Sequence, residues 1–171
     1  MKNWLIVIFI IIVSLVIKKY NNEKEVIIPS DSIRLRVISN SNSEFDIISK
    51  LNLKDYLENY LFDLIKDAQS KEEVDEIIVN NLDDLNIKVA KFLNSNNYKI
   101  DYGQNYFPSK VYKGVVYNEG IYDSLVITLG NGKGSNWWCV LFPPLCLIED
   151  NKTTTDVEYR FFVSRIIDEL K

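Results

Sequence analysis

Between residues 32 and 39 the chain alternates, with Ile33, Leu35 and Val37 on one side and Arg34 and Arg36 on the other. That period of two predicts a first strand with one buried face. Asn40-Ser41-Asn42-Ser43 interrupts it, and the period then lengthens. Leu53, Leu57, Tyr60, Leu61, Leu64, Ile65 and Ala68, extended upstream by Ile47 and Leu51, recur at helical spacing and predict a long amphipathic helix over 44–68. Ser70 followed by Glu73 is a capping-box pattern. It opens the stripe Val74, Ile77, Ile78, Leu82, Leu85, Val89, Phe92 and Leu93 of a second helix. After Asn94 to Asn97 tyrosines and β-branched residues take over, and strands are expected at about Tyr98–Phe107, Lys110–Tyr117 and Tyr122–Leu129. Asn118-Glu119-Gly120 supplies turn chemistry that joins the last two as a hairpin. The order β-α-α-β-β-β predicts an α+β domain of two layers, two long helices on one face of a mainly antiparallel sheet. The pattern leaves the strand order open.

Both ends carry other signals. Trp4 to Ile17 is apolar except for Ser14, with Lys2 before it and Lys18 and Lys19 after it. At 1.5 Å per residue the run reaches about 21 Å, against a hydrocarbon layer of roughly 30 Å. Lysine stems and local thinning of the bilayer extend that reach. No small-x-small cleavage pattern follows, so the run reads as an uncleaved signal anchor in preference to a cleaved signal peptide. Equal flanking charge leaves its orientation open. The expected division is therefore 1–19 leader, 20–31 linker rich in Asn, Glu and Lys, 32–150 folded domain, and 151–171 a C-terminal segment packed on or appended to it. In that last segment Val157, Tyr159, Phe161 and Val163 alternate, whereas Phe162, Ile166, Ile167 and Leu170 suit a helix.

Composition narrows the chemistry. The chain of 171 residues has no histidine, which removes Ser-His-Asp and Cys-His nucleophile pairs and histidine-ligated metals. With 20 Lys and Arg against 24 Asp and Glu it lacks the basic surface that nucleic-acid binding requires. Gly130-Asn131-Gly132-Lys133-Gly134-Ser135 departs from a phosphate loop, because Lys133 is followed by glycine and then by two tryptophans instead of by Ser or Thr opening a helix. No metal, cofactor or small-molecule substrate is expected, and no catalytic residue is assigned. A carboxylate-dependent hydrolase acting on cell wall is the alternative, since two acids can meet across a cleft without any sequence motif.

One segment stands apart. Asn136-Trp137-Trp138-Cys139-Val140-Leu141-Phe142-Pro143-Pro144-Leu145-Cys146 concentrates three aromatics, two prolines and both cysteines of the chain. Adjacent tryptophans in extended chain point to opposite faces. The segment therefore reads either as a partner- or membrane-facing patch of Trp137, Trp138, Phe142, Pro143 and Pro144, or as a plug on the sheet. Cys139 and Cys146 form a disulfide if the protein is exported, or stay as two buried thiols. Arg34 and Arg36 either pair with acids such as Asp101 or mark a charged docking surface.

Gly130 to Cys146 (GNGKGSNWWCVLFPPLC) resembles the most recognisable segment of the stage II sporulation protein R family of endospore-forming bacteria, and Ile33 to Ser43 (IRLRVISNSNS) resembles its first-strand signature. Lys50-Leu51-Asn52-Leu53-Lys54-Asp55 and Phe107-Pro108-Ser109-Lys110-Val111-Tyr112 are weaker echoes of it. Arg36 stands where the family usually has histidine, Asn42 where aspartate is usual, and Asn118-Glu119-Gly120 where a proline commonly opens the turn. The resemblance implies a non-enzymatic protein exported from the forespore. It implies further that a membrane-embedded aspartic protease of the mother cell senses this protein in the intermembrane space and then removes the pro-sequence of sigma-E.

Overall fold

The structure, a computed structural model, describes residues 26–112 and 115–144 together with Trp4, Ile11 and Val13. The elements are β1 (Val26–Ile27), β2 (Ile33–Ile38), α1 (Glu44–Ile65), α2 (Lys71–Asn80), α3 (Leu82–Leu93), β3 (Tyr98–Phe107), β4 (Lys110–Tyr112), β5 (Val115–Tyr117), β6 (Gly120–Leu129) and β7 (Asn136–Phe142). The larger sheet runs β3-β6-β2-β7, and a smaller one runs β1-β5-β4.

The helices begin where side chains supply acceptors for their unpaired first amides. Ser43 Oγ accepts from the Asp46 N–H at 3.2 Å, and Ser70 Oγ from the Glu73 N–H at 3.2 Å. The Glu73 carboxylate reaches back to the Gln69 N–H at 2.7 Å, one residue before the cap. The single second helix expected over 71–93 is instead two. Asn81 leaves helical geometry (φ −110°, ψ 8°), and its side-chain amide donates to the Ile77 carbonyl at 2.8 Å, so α2 ends there and α3 restarts. The apolar stripe survives the break because both pieces still bury against α1 and the sheet. Leu53, Leu57 and Leu61 of α1, Val74 and Ile78 of α2, and Leu85 and Val89 of α3 close over Leu35, Val37, Leu125 and Ile127. Each such side chain, taken fully out of water, contributes about 1.5–3 kcal/mol.

The sheet is mainly antiparallel, as expected, but mixed, because β2 and β6 pair in parallel at its centre and β1 pairs in parallel with β5. β6 pairs antiparallel with β3 over ten residues, from Tyr98↔Leu129 to Phe107↔Gly120, and parallel with β2 from Arg34↔Ser124 to Ile38↔Thr128. β7 lies antiparallel on the other edge of β2. The hairpin expected between 110–117 and 122–129 is not formed. The first of those stretches is two strands of three residues that pair with each other, Lys110↔Tyr117 and Val111↔Val116. β5 then takes as its other neighbour β1, which lies in the stretch expected to be linker. The reason is length. A ten-residue ladder with matching alternation on β3 outcompetes three residues of β5 for the edge of β6.

Most of the apolar leader, Cys146 and residues 151–171 lie outside the described residues. No helix among the described residues is long and apolar enough to cross a membrane.

Candidate functional site

The two loops at one end of the sheet are joined by hydrogen bonds. Asn40 Oδ1 accepts from the Asn131 N–H at 3.0 Å, the Asn40 carbonyl from the Lys133 N–H at 3.0 Å, and the Ser39 carbonyl from the Gly134 N–H at 2.9 Å. Asn42 Oδ1 accepts from the Ser135 N–H at 2.8 Å, a role that an aspartate oxygen has the acceptor capacity to fill. Lys50, buried on α1, donates to the Ser135 carbonyl at 3.1 Å and to its hydroxyl at 2.7 Å. Two glycines make the approach feasible. A Cβ on Gly130, whose φ is +52°, would strike the Asn40 side chain, and one on Gly134 would strike Ser39 and the Ser41 backbone. The amides that invite a phosphate-loop reading are thus already committed, those of Asn131, Lys133, Gly134 and Ser135 to Ser39, Asn40 and Asn42, and those of Gly130 and Gly132 to the Asn97 and Leu129 carbonyls.

Asp46 braces the same loop. Its carboxylate accepts from Ser41 Oγ at 2.5 Å and from Asn40 Nδ2 at 3.0 Å. The hydrogen bond from Ser41, then those from Asn40 and Ser43, hold the carboxyl below its ordinary range against a smaller opposing effect of desolvation.

The docked loop delivers β7 to the edge of β2, and the two tryptophans divide between the faces. Trp137 packs toward the helix-side core with Lys54 Nζ 5.5 Å from its ring centroid. Burial depresses the Lys54 ammonium, but its hydrogen bonds and charge pairing with Glu58 (2.7 Å) and Asp55 (2.9 Å) outweigh that and raise it overall. Trp138 lies on the opposite face, edge-on to Phe107 at 5.6 Å, with Lys110 Nζ 5.0 Å from its ring centroid. Phe142, half-buried, packs against the core, and a cis peptide joins it to buried Pro143. Pro144 is half-buried, and Cys139 is buried on the helix side.

Arg34 is 1% exposed although it is an arginine. Its guanidinium carbon sits 3.3 Å from the Tyr122 ring centroid and 5.3 Å from that of Phe107. Nε donates to Ser32 Oγ and Nη1 to the Asn118 carbonyl, both at 3.4 Å. Burial lowers its pKa, partly offset by Tyr122 and Tyr117. Arginine nonetheless keeps its charge in proteins. Arg36 is half-buried, donates to the Tyr106 carbonyl at 3.5 Å and lies 5.0 Å from the Phe107 centroid. Neither arginine pairs with Asp101, which is two strands from β2, about 9–10 Å in the sheet plane. Asp101 takes Lys99 at 3.5 Å and Asn105 instead. Among the described residues no carboxylate forms an ion pair with Arg34 or Arg36.

The structure therefore brings Trp138, Arg34 and Arg36 together on one face, and separates Trp137 and Phe142 from them by the thickness of the sheet. Phe107, Tyr122, Lys50 and Lys54 complete the surroundings without having been picked out by chemistry. Three of them lay within the weaker family echoes at 50–55 and 107–112, and only Tyr122 had no signal. Among the described residues no group of three or more His, Cys, Asp or Glu is placed to hold a metal.

These features define an α+β domain whose central strand β2 carries an aliphatic face toward three helices and an arginine–aromatic face away from them. Residues 29–152 match the family described as Stage II sporulation protein R. The chain is 35% identical over 133 residues to the Stage II sporulation protein R of Bacillus subtilis (strain 168), an alignment that takes in 75% of this chain and 59% of the relative. The chain belongs to the stage II sporulation protein R family. It spans about three-fifths of the length of the curated relative it matches. No solved structure matches it.

Proposed function

We propose that this protein is a non-enzymatic sporulation signal, exported from the forespore and held or released in the space between the forespore and mother-cell membranes, with residues 4–17 as its membrane anchor. Its partner is the membrane-embedded aspartic protease of the mother cell, and the consequence of contact is removal of the sigma-E pro-sequence. Family membership over 29–152 carries this reading. The geometry is compatible with it, because the segments that carry the family resemblance meet around β7 and neither tryptophan ring is wholly buried. A ligand of this kind acts by binding the active state of its receptor more tightly than the inactive one. The contact residues assigned are Trp137, Trp138, Phe142, Pro143 and Pro144, with Arg34 and Arg36 second. No cofactor, metal, nucleic acid or small-molecule substrate enters the mechanism.

The test is sigma-E precursor cleavage, followed by immunoblot in cells producing the cognate protease and precursor, with and without this chain. Cleavage that depends on the exported chain is the expected result, both for the full-length protein and for residues 20–171 behind a heterologous export signal. An uncut precursor in the presence of exported, folded, full-length protein would defeat the reading. Replacing Trp137 and Trp138 together by alanine should abolish cleavage. Parental cleavage from a double variant with an unchanged urea midpoint would remove the tryptophans from the contact.

A further inference from the structure

Among the described residues, three buried side-chain nitrogens have no hydrogen-bond partner: Arg34 Nη2, Arg36 Nε and Trp138 Nε1. All three belong to one face of the sheet and to side chains that surround a single ring. The Phe107 centroid is 5.3 Å from the Arg34 guanidinium carbon, 5.0 Å from that of Arg36 and 5.6 Å from the Trp138 ring. Arg36 and Trp138 are direct cross-strand partners, and Arg34 follows two residues along the same strand face. Folded proteins pair the great majority of their buried polar groups, so three orphans in one place point to an acceptor that binds there. Each of the three is a donor with no acceptor capacity, and two carry a positive charge. The complementary group is an anion with more than one in-plane oxygen, and a carboxylate matches the flat guanidinium fork lying against an aromatic floor. Arg36 is half-buried and is the more accessible of the two arginines, whereas Arg34 is 1% exposed.

We infer that Arg36, Trp138 and Arg34, arranged around Phe107, form a receptor for one carboxylate, supplied by an aspartate or glutamate side chain of a protein partner. Only the source of the carboxylate rests on the signalling reading above; the site itself rests on the unpaired donors.

The experiment is a titration of the full-length, 15N-labelled chain in uncharged detergent micelles, following the arginine Nε–H and tryptophan indole N–H resonances. N-acetylglutamate and N-acetylglutamine, each with its α-carboxyl capped as the N-methylamide so that they differ only at the side-chain carboxylate, are the probe and its control, and inorganic phosphate is a second control. The Arg36 and Trp138 signals should move together and saturate with N-acetylglutamate, and stay in place with N-acetylglutamine. R36Q should weaken the association about tenfold, since a charge-assisted hydrogen bond is lost. W138F, which removes the N–H donor and keeps a smaller aromatic ring against Phe107, should weaken it less. Absence of a saturable shift would overturn the proposal, as would tighter binding of phosphate than of N-acetylglutamate. So would signals that answer the probe only after Glu149 and Asp150 are changed to Gln and Asn, because one of the chain's own acids would then fill the site. A successful titration with parental precursor cleavage by R36Q would overturn the partner as the source. Failure of the parent chain itself to trigger cleavage would count against the signalling reading alone, since the titration reads the site directly.

Discussion

The two faces of the central strand β2 are built from opposite materials. Toward the helices, Ile33, Leu35 and Val37 are fully buried among Leu53, Leu57, Leu125 and Ile127, and nothing polar needs a partner. On the far side, Arg34 is buried as completely, yet it sits among Phe107, Tyr122 and Tyr117 with one nitrogen unsatisfied. Burial therefore serves different ends on the two sides. An aliphatic face gains from every contact and loses nothing in desolvation. A buried cation without a counter-charge costs stability that its hydrogen bonds and ring contacts must offset, so the far face gains less from burial than the helix side does.

The sharpest way to break that contrast is to cut each face once. Leu57→Ala leaves a cavity under α1 and should lower stability by about 2–5 kcal/mol, read from the urea midpoint. Arg34→Met fills a similar volume without a charge, and it should leave stability unchanged or raise it by up to about 1–4 kcal/mol. A loss from Arg34→Met as large as that from Leu57→Ala would mean that both faces are structural and the contrast is false.

The loops that carry β7 to β2 test whether the second face depends on the first. Gly134→Ala forces a Cβ into Ser39 and Ser41 and should cost about 1–3 kcal/mol. The Trp138 indole signal should shift as β7 loosens while the helix-side core stays intact. An unmoved indole would show that the Trp138–Phe107 contact holds without the docked loop.

The smallest effect is one of pH. The Asp46 carboxyl is held below its ordinary range by Ser41, Asn40 and Ser43. Its contribution is therefore complete above the unfolded value of about 3.9 and is lost as pH falls through the lower folded value. Asp46→Asn should flatten the stability profile in that acidic window and change little near neutrality. Parallel profiles for the parent and the variant would remove Asp46 as the brace of the loop.

Much of this fold was readable in advance, and the places where it was not share a cause. The alternation of β2, the span of β3, the cap at Ser70 and the opposite facing of Trp137 and Trp138 all follow from a period of two or 3.6 and from short-range hydrogen bonding. They are properties of a few neighbouring residues. The end of α2 at Asn81 was hidden because the apolar stripe continues through it, and periodicity registers the stripe, not the break. The absent hairpin was hidden for a different reason. Asn118-Glu119-Gly120 has suitable turn chemistry, but whether a turn joins two paired strands depends on what else competes for the strand edge.

The candidate site shows the same division. That Arg34 and Arg36 share a face opposite Leu35 and Val37 is written in the order of residues, because side chains alternate along any extended chain. That this face is covered, that Phe107 and Tyr122 supply the cover, and that Trp138 stands across from Arg36 depended on β6 and β7 choosing opposite edges of β2. Strand order is settled by competition among long-range ladders and by which faces remain to be buried. No window of local sequence contains that competition, since the partners lie tens of residues apart along the chain.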